Sequence, residues 1–220
     1  MGFSFSGMFS DKSKMVSPED ALPGREDSIK ISGVHHVNQR SMFEPFPDGM
    51  EVAYFALGCF WGAEKLFWKI EGVYVTAVGY QGGYTKNPTY EESCTALTGH
   101  AETVMVVFDP KVISYRELVT KFFEGHDPTQ YMGQGNDIGT EYRSAVFPTS
   151  TDQYETTIEV MKKYNSQLIA NGYGEITTEV TQLPTPPFYY AEEYHQQYLS
   201  KNPNGYCSLR GTGVSCAIGS

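Results

Sequence analysis

The chain has 220 residues, 40% of them hydrophobic, which suits a single buried core with a tail. A formal net charge of -10 without any basic cluster excludes nucleic acid and anionic membrane surfaces as natural partners, because both reward Lys and Arg. Four cysteines are too few for a disulfide scaffold in a chain of this length, so a reducing, cytoplasmic setting is expected; the chain is also expected to be a monomer.

Residues 1–50 mix Ser, Gly, Pro and charge without periodicity and are expected to be an irregular extension. Gly2 and Ser6 fit the loose acylation pattern, but one acyl chain holds a membrane only marginally, so no stable membrane association is expected. No leader opens the chain, and the apolar window 52–63 is too short to cross a bilayer. Pro88 blocks the one Asn-x-Thr triplet. "SPEDAL" predicts a short helical turn capped by Ser17 with Pro18 in the first position.

From Glu51 the pattern sharpens into a strand over 51–57, a helix over 59–69 and a β-branched strand over 72–80. A second unit follows: the alternating "HAETVMVVFDP", a helix opened by a capping box of Ser114 and Glu117, and the strand "YRSAVFP". The fold class expected is α+β, a ferredoxin-like two-layer sandwich built on split β-α-β units. A helix over 150–170, a strand over 175–183 and a short helix around "YAEEYHQQYL" complete a catalytic unit over 51–200. Residues 201–220 form a Gly-rich coil arm carrying Cys207 and Cys216, whose glycines predict mobile, accessible thiols.

Cys59 stands at the joint of strand and helix. Phe60, Ala63, Leu66, Phe67 and Ile70 share one helical stripe, whereas Trp61 and Trp68 fall among Glu64, Lys65 and Lys69. Trp61 is therefore expected to wall a pocket, with Glu64 on the polar face. A helix start offers free N–H groups and positive dipole, which lower a thiol's pKa, although position alone equally admits an inert buried cysteine. The two thiols of the arm tip the balance, since a glycine-rich arm can deliver them in turn to an oxidised cysteine. Glu102 continues the apolar face of Val104, Val106 and Phe108, so partial desolvation should raise its pKa and suit it to proton donation. Tyr90, Tyr142 and Asp137 carry no signal individually, and Cys94 is expected to be structural. "GYQGGY" lacks a dinucleotide fingerprint, so no cofactor and no metal are implied. A hydrolase pairing Cys59 with His100, His126 or His195 is the alternative class.

The blocks "GCFWGAE", "NPTYEESC", "TGHAETV", "HDPTQ", "QGNDIGTEYRS", "TPPFYYAEEYHQQYLSKNP" and "GYCSLRGTGVSC" closely resemble, in order, the methionine sulfoxide reductase A family. The resemblance runs from about Glu51 to Cys216. It implies an oxidoreductase that reduces methionine-S-sulfoxide, free or in oxidised proteins, with repair as its role and thioredoxin as reductant. It implies that Cys59 is the nucleophile and that Phe60 and Trp61, with Gly58 beside them, receive the substrate methyl group. It further implies that Glu102 protonates the sulfoxide oxygen, that Tyr90 and Tyr142 hydrogen-bond it, and that Asp137 helps hold substrate and water. Cys207 and Cys216 match the two recycling cysteines, through Cys59–Cys207 and Cys207–Cys216 disulfides. Ser208 and Arg210 stand where the family usually has glycine, which predicts a stiffer arm, and Gly133 stands where many members have arginine.

Overall fold

The structure, a computed structural model, describes residues 11–216, so the acylation pattern at Gly2 and Ser6 lies outside the described residues. The elements run β1 (Glu51–Leu57), α1 (Phe60–Trp68), β2 (Val73–Gln81), α2 (Tyr90–Ser93), β3 (Ala101–Phe108) and α3 (Tyr115–Gly125). There follow the small hairpin β4 (Gly133–Gln134) and β5 (Asp137–Ile138), a 3-10 helix (Thr140–Tyr142), and β6 (Ser144–Val146). The last elements are α4 (Thr151–Ala170), β7 (Glu179–Val180), β8 (Tyr189–Tyr190) and α5 (Tyr198–Lys201).

The large sheet has the order β7-β6-β1-β3-β2-β8. Since β3 runs antiparallel to both β1 and β2, the strands joined through α1 are parallel and separated by β3. The strands joined through α3 are likewise separated, by β1, which pairs antiparallel with β3 and β6. This is the expected split β-α-β frame, extended by β7 parallel to β6 at one edge and by β8 at the other. The helices start where the caps place them: Ser114 and Glu117 close the expected capping box of α3, and Ser150 accepts from Gln153 N–H to open α4.

Alternate residues of the strands face the helices. Phe55, Val78, Tyr80, Val104 and Val106 pack with Phe60, Ala63 and Phe67 of α1 and with Leu118, Phe122 and Phe123 of α3. Phe55 stacks on both Phe67 and Phe122, with centroids 5.0 and 5.4 Å away. The opposite face of the sheet is covered as well. Val75, Ala77, Met105 and Val107 pack against Met42, Ile31, Phe46 and Met50 of the extension, which is why all eight residues of β3 are buried.

Three expectations are corrected. "SPEDAL" makes a single hydrogen-bonded turn, Asp20 N–H to Ser17 O at 3.2 Å, and no helix. The strand expected over 175–183 contracts to two residues. The helix expected around "YAEEYHQQYL" is replaced by turns ahead of α5, because its glutamines bond to backbone. Gln196 Nε2 donates to Val78 O at 2.8 Å while its Oε1 accepts from Val78 N–H at 2.9 Å, so one side-chain amide imitates a paired strand. Gln197 takes a left-handed φ of 47°. Among the described residues, no helix is long and apolar enough to cross a membrane.

Glu64, expected on a polar face, is fully buried. Its carboxylate accepts from Thr76 Oγ1 at 2.9 Å, from Gln197 N–H at 2.8 Å and from Gln197 Nε2 at 2.7 Å. His35 of the extension lies 3.0 Å from the same Thr76 hydroxyl. Burial pushes Glu64 up to about 7, while the donors from Gln197 and Thr76 pull the other way. Replacing Glu64 by Gln sets an amide N–H against converging donors and is expected to cost about 1–3 kcal/mol. Urea unfolding should show a lower midpoint at unchanged slope; an unchanged midpoint refutes this account of the network.

Candidate active site

β1 ends in Leu57, and the chain turns at Gly58 to deliver Cys59 as the residue preceding α1. The turn demands glycine, since φ is +91° and a Cβ would sit 2.6 Å from the Gln134 side chain. Glu102 comes from β3, where it pairs with Tyr80 and faces the helices, as the alternation with Val104 predicts. Its Oε2 accepts the Phe60 N–H at 2.8 Å, so the carboxyl of one strand closes the first turn of the helix that Cys59 begins. Cys59, Phe60, Trp61, Tyr90, Glu102, Asp137, Tyr142 and Tyr206 line one cavity of about 210 Å³. Larger surface hollows, of about 520, 530 and 330 Å³, lie elsewhere and are lined by no cysteine.

The electrostatics separate the two central groups. Burial drives Glu102 up to about 8, helped by the neighbouring carboxylates of Glu141 and Asp137 and opposed by the Phe60 N–H. Glu102 is therefore mostly a neutral acid at neutral pH, as its place in the strand predicts. Cys59 corrects the expectation of a lowered pKa. The N–H groups of Trp61 and Gly62 do favour its thiolate, but burial first and the Glu102 charge second outweigh them and hold the thiol protonated. Tyr90 and Tyr142 are both raised by burial first, Tyr142 also by the nearby Glu102, so both phenols stay protonated donors.

Each wall is braced from outside the cavity. Trp61 stacks on Tyr198 with centroids 3.8 Å apart, and its indole N–H donates to His195 Nδ1 at 2.9 Å. Phe60 is buried between Tyr80 and His195. Tyr90 opens α2 behind a capping box of Thr89 and Glu92, and Arg25 of the extension grips the Glu92 carboxylate at 2.6 Å. Its backbone N–H donates to Glu192 Oε1 at 2.8 Å. Cys94, expected to be structural, lies one helical turn on from Tyr90, and Lys12 Nζ donates to its carbonyl at 2.8 Å.

The arm is docked. Cys207 is exposed, as expected, but Cys216 is buried in the main core, where its N–H donates to Glu124 Oε1 at 2.9 Å. Burial raises the Cys216 thiol. Leu209 and Val214 pack on the same core, and the Tyr164 hydroxyl donates to Val214 O at 2.9 Å. The accessibility expected from the glycines thus fails at Cys216, because apolar residues between them reach the helices. A Cβ at Gly62, in the first turn of α1, would lie 2.9 Å from Cys207 Sγ, so Cys207 is parked against the start of the helix that follows Cys59.

Sequence reasoning missed Tyr206 and Glu141. Tyr206 precedes a candidate thiol and could have been found by that adjacency, whereas Glu141 is buried by tertiary packing, which leaves no local signal. Gly58 shapes the turn without lining the cavity. Of the three candidate bases, His100 lies between Thr85 O and Gly83 N–H, and His126 between Phe122 O and Ser144 Oγ. His195 turns to Trp61, and none of the three lines the cavity.

The Cys59 thiol shares its cavity with a carboxyl and two phenols and with none of the three candidate histidines, and two more thiols stand on a neighbouring arm. The class these define is a thiol-dependent oxidoreductase. The chain belongs to the peptide methionine sulfoxide reductase family, whose model matches residues 51–216. It is 55% identical over 215 residues to the Synechocystis protein named peptide methionine sulfoxide reductase MsrA 1, covering 98% of this chain and 96% of that protein. It is 55% identical to the human mitochondrial peptide methionine sulfoxide reductase over 212 residues, covering 96% of this chain and 89% of that one. The solved methionine sulfoxide reductase A of Corynebacterium diphtheriae superposes with a TM-score of 0.83 at 45% identity, over 94% of this chain and all of that one.

Gly62→Ala tests the parking of Cys207. The added methyl group favours the helix by about 1 kcal/mol while pushing the thiol outward. Because the same methyl group would also press on Leu209 Cβ, 3.0 Å away, alkylation of Cys207 by iodoacetamide should accelerate as that part of the arm lifts. An unchanged alkylation rate would contradict the close approach.

Proposed function

We propose that this protein reduces methionine-S-sulfoxide, free or in proteins, by attack of the Cys59 sulfur on the sulfoxide sulfur. The observation that carries the reading is the Glu102 carboxyl, neutral near pH 7 and fastened to the Phe60 N–H in the cavity that holds Cys59. As the S–O bond polarises, negative charge gathers on oxygen, where Glu102 supplies a proton and the Tyr90 and Tyr142 hydroxyls supply hydrogen bonds. Glu102, once ionised, takes the proton of the Cys59 thiol, so the carboxyl acts as a relay and a thiol held protonated at rest becomes a nucleophile only as substrate reacts. Phe60 and Trp61 receive the methyl group, and Asp137 at the rim helps hold substrate and water. The hydroxyl then passes from the substrate sulfur to the Cys59 sulfur as the bond between the two sulfurs breaks, so methionine leaves reduced by two electrons and Cys59 is left, oxidised by two, as a sulfenic acid.

Cys207 then condenses with that sulfenic acid, releasing water, and Cys216 attacks the resulting disulfide to leave Cys207–Cys216. Thioredoxin is the reductant we assign to that last bond, a choice supported by the exposure of Cys207 and by the family resemblance. The S epimer rests on the same resemblance. Four free cysteines support a reducing, cytoplasmic site of action.

Cys59→Ser is expected to abolish methionine release from the S epimer with dithiothreitol; turnover at the normal rate would remove the nucleophile assignment. Glu102→Gln should lower single-turnover release by about 10²- to 10⁴-fold. The sign of the pH dependence follows from the raised pKa: the competent form is protonated, so release declines as pH rises through about 8. A wild-type rate that instead climbs steadily through that region refutes Glu102 as the donor. Cys207→Ser with Cys216→Ser should still release about one methionine per enzyme but stall with thioredoxin.

A further inference from the structure

The segment around Cys207 is fastened to the rim of the cavity from both sides. Ser208 Oγ donates to Asp137 Oδ2 at 2.7 Å, and the Tyr206 hydroxyl lies 3.1 and 3.3 Å from the two Asp137 oxygens. The carboxylate they share is itself held in a rigid hairpin. Gln134 pairs with Asp137 across the turn, and the Gln134 side chain bonds both N–H and C=O of Asp127 at 3.0 and 2.9 Å. Gln130 bonds both backbone groups of Gly135 at the tip. Between its two anchored neighbours, Cys207 projects its sulfur onto Gly62, three residues beyond Cys59.

We propose that Ser208 is a positioning residue for the first recycling step, holding Cys207 through Asp137 at the start of α1, where the oxidised sulfur of Cys59 forms. The inference rests on the proposed reading of Cys59 as the site of the sulfenic acid. In the step concerned, the Cys207 sulfur attacks the sulfur of Cys59–S–OH, one S–S bond forms and the S–O bond breaks. The hydroxyl departs with the Cys207 proton as water, so electrons and atoms balance without an added oxidant or reductant. Ser208 serves this geometry better than Tyr206 does. Its bond is the shorter, and it is partly buried where Tyr206 is exposed. Fixing the residue next to the attacking thiol removes conformational freedom that would otherwise be lost in the transition state.

The test is a single turnover of the full-length enzyme in the Cys216→Ser background, where the oxidised enzyme stops at the first disulfide. Methionine release, dimedone adduct on Cys59 and Cys59–Cys207 disulfide are followed together. Ser208→Ala is expected to lower the ratio of the disulfide-forming rate to the methionine-release rate about tenfold, with a matching rise in dimedone adduct. Ser208→Thr, which keeps a hydroxyl in place, should restore most of that ratio, which a merely structural role would not do. A wild-type ratio in Ser208→Ala, or no recovery in Ser208→Thr, overturns the proposal. Absence of methionine release in the parent enzyme, or of both dimedone adduct and disulfide at Cys59, would instead sink the underlying reading, and this shows before the Ser208 variants are compared.

Discussion

The hydrogen bond from the Phe60 N–H to the Glu102 carboxyl, 2.8 Å long, is the constraint on which the site depends. It joins the start of one helix to the start of a central strand, and it fixes the carboxyl at a place where burial, against the pull of the bond itself, sets two acidities at once. A carboxyl held there is buried, and its charge would lie close to Cys59, so Glu102 prefers to stay neutral and Cys59 prefers to stay a thiol. Helix N-termini are usually credited with ionising cysteines. Here that influence is present but smaller than the cost of burying a second negative charge beside Glu102 and Asp137. In the proposed reaction, the consequence is a Cys59 sulfur that stays quiet until an acceptor for the Glu102 proton enters the cavity.

Much of the frame was legible in the sequence because its signals are local. Alternation in β3 placed Glu102 on the helix face, Ser114 and Glu117 marked the start of α3, and the off-stripe position of Trp61 marked a wall. What was not legible depended on distant partners. Glu64 looks like a surface residue of α1 until Gln197 arrives from more than a hundred residues away to bond it. The segment around Gln196 has helix-forming composition, yet its amide is worth more against Val78, whose N–H would otherwise be buried without a partner. Cys59 shows the same limit in electrostatic form: the dipole can be read from position, but the opposing carboxylates come from other elements.

The irregular extension belongs to the working structure in this light. Residues 31–50 cover the sheet face opposite the helices, Arg25 steadies the capping box before Tyr90, and His35 closes the network at Glu64. Low periodicity in sequence therefore marked absence of regular hydrogen bonding and not absence of packing. A segment can lack strands and helices and still brace both sides of a cavity, provided that its side chains find buried partners.

The burial of Cys216 has a chemical consequence of its own. A protein that works where methionines are being oxidised is surrounded by the same peroxides that attack thiolates, and an exposed, ionised reserve sulfur would be consumed before use. Seated in the core beside Glu124, with its ionisation opposed by burial, this sulfur is a poor target for such oxidants. If Cys216 carries out the last exchange proposed above, storage and reactivity are thereby separated in space, with the electrons of that exchange kept under an apolar cover.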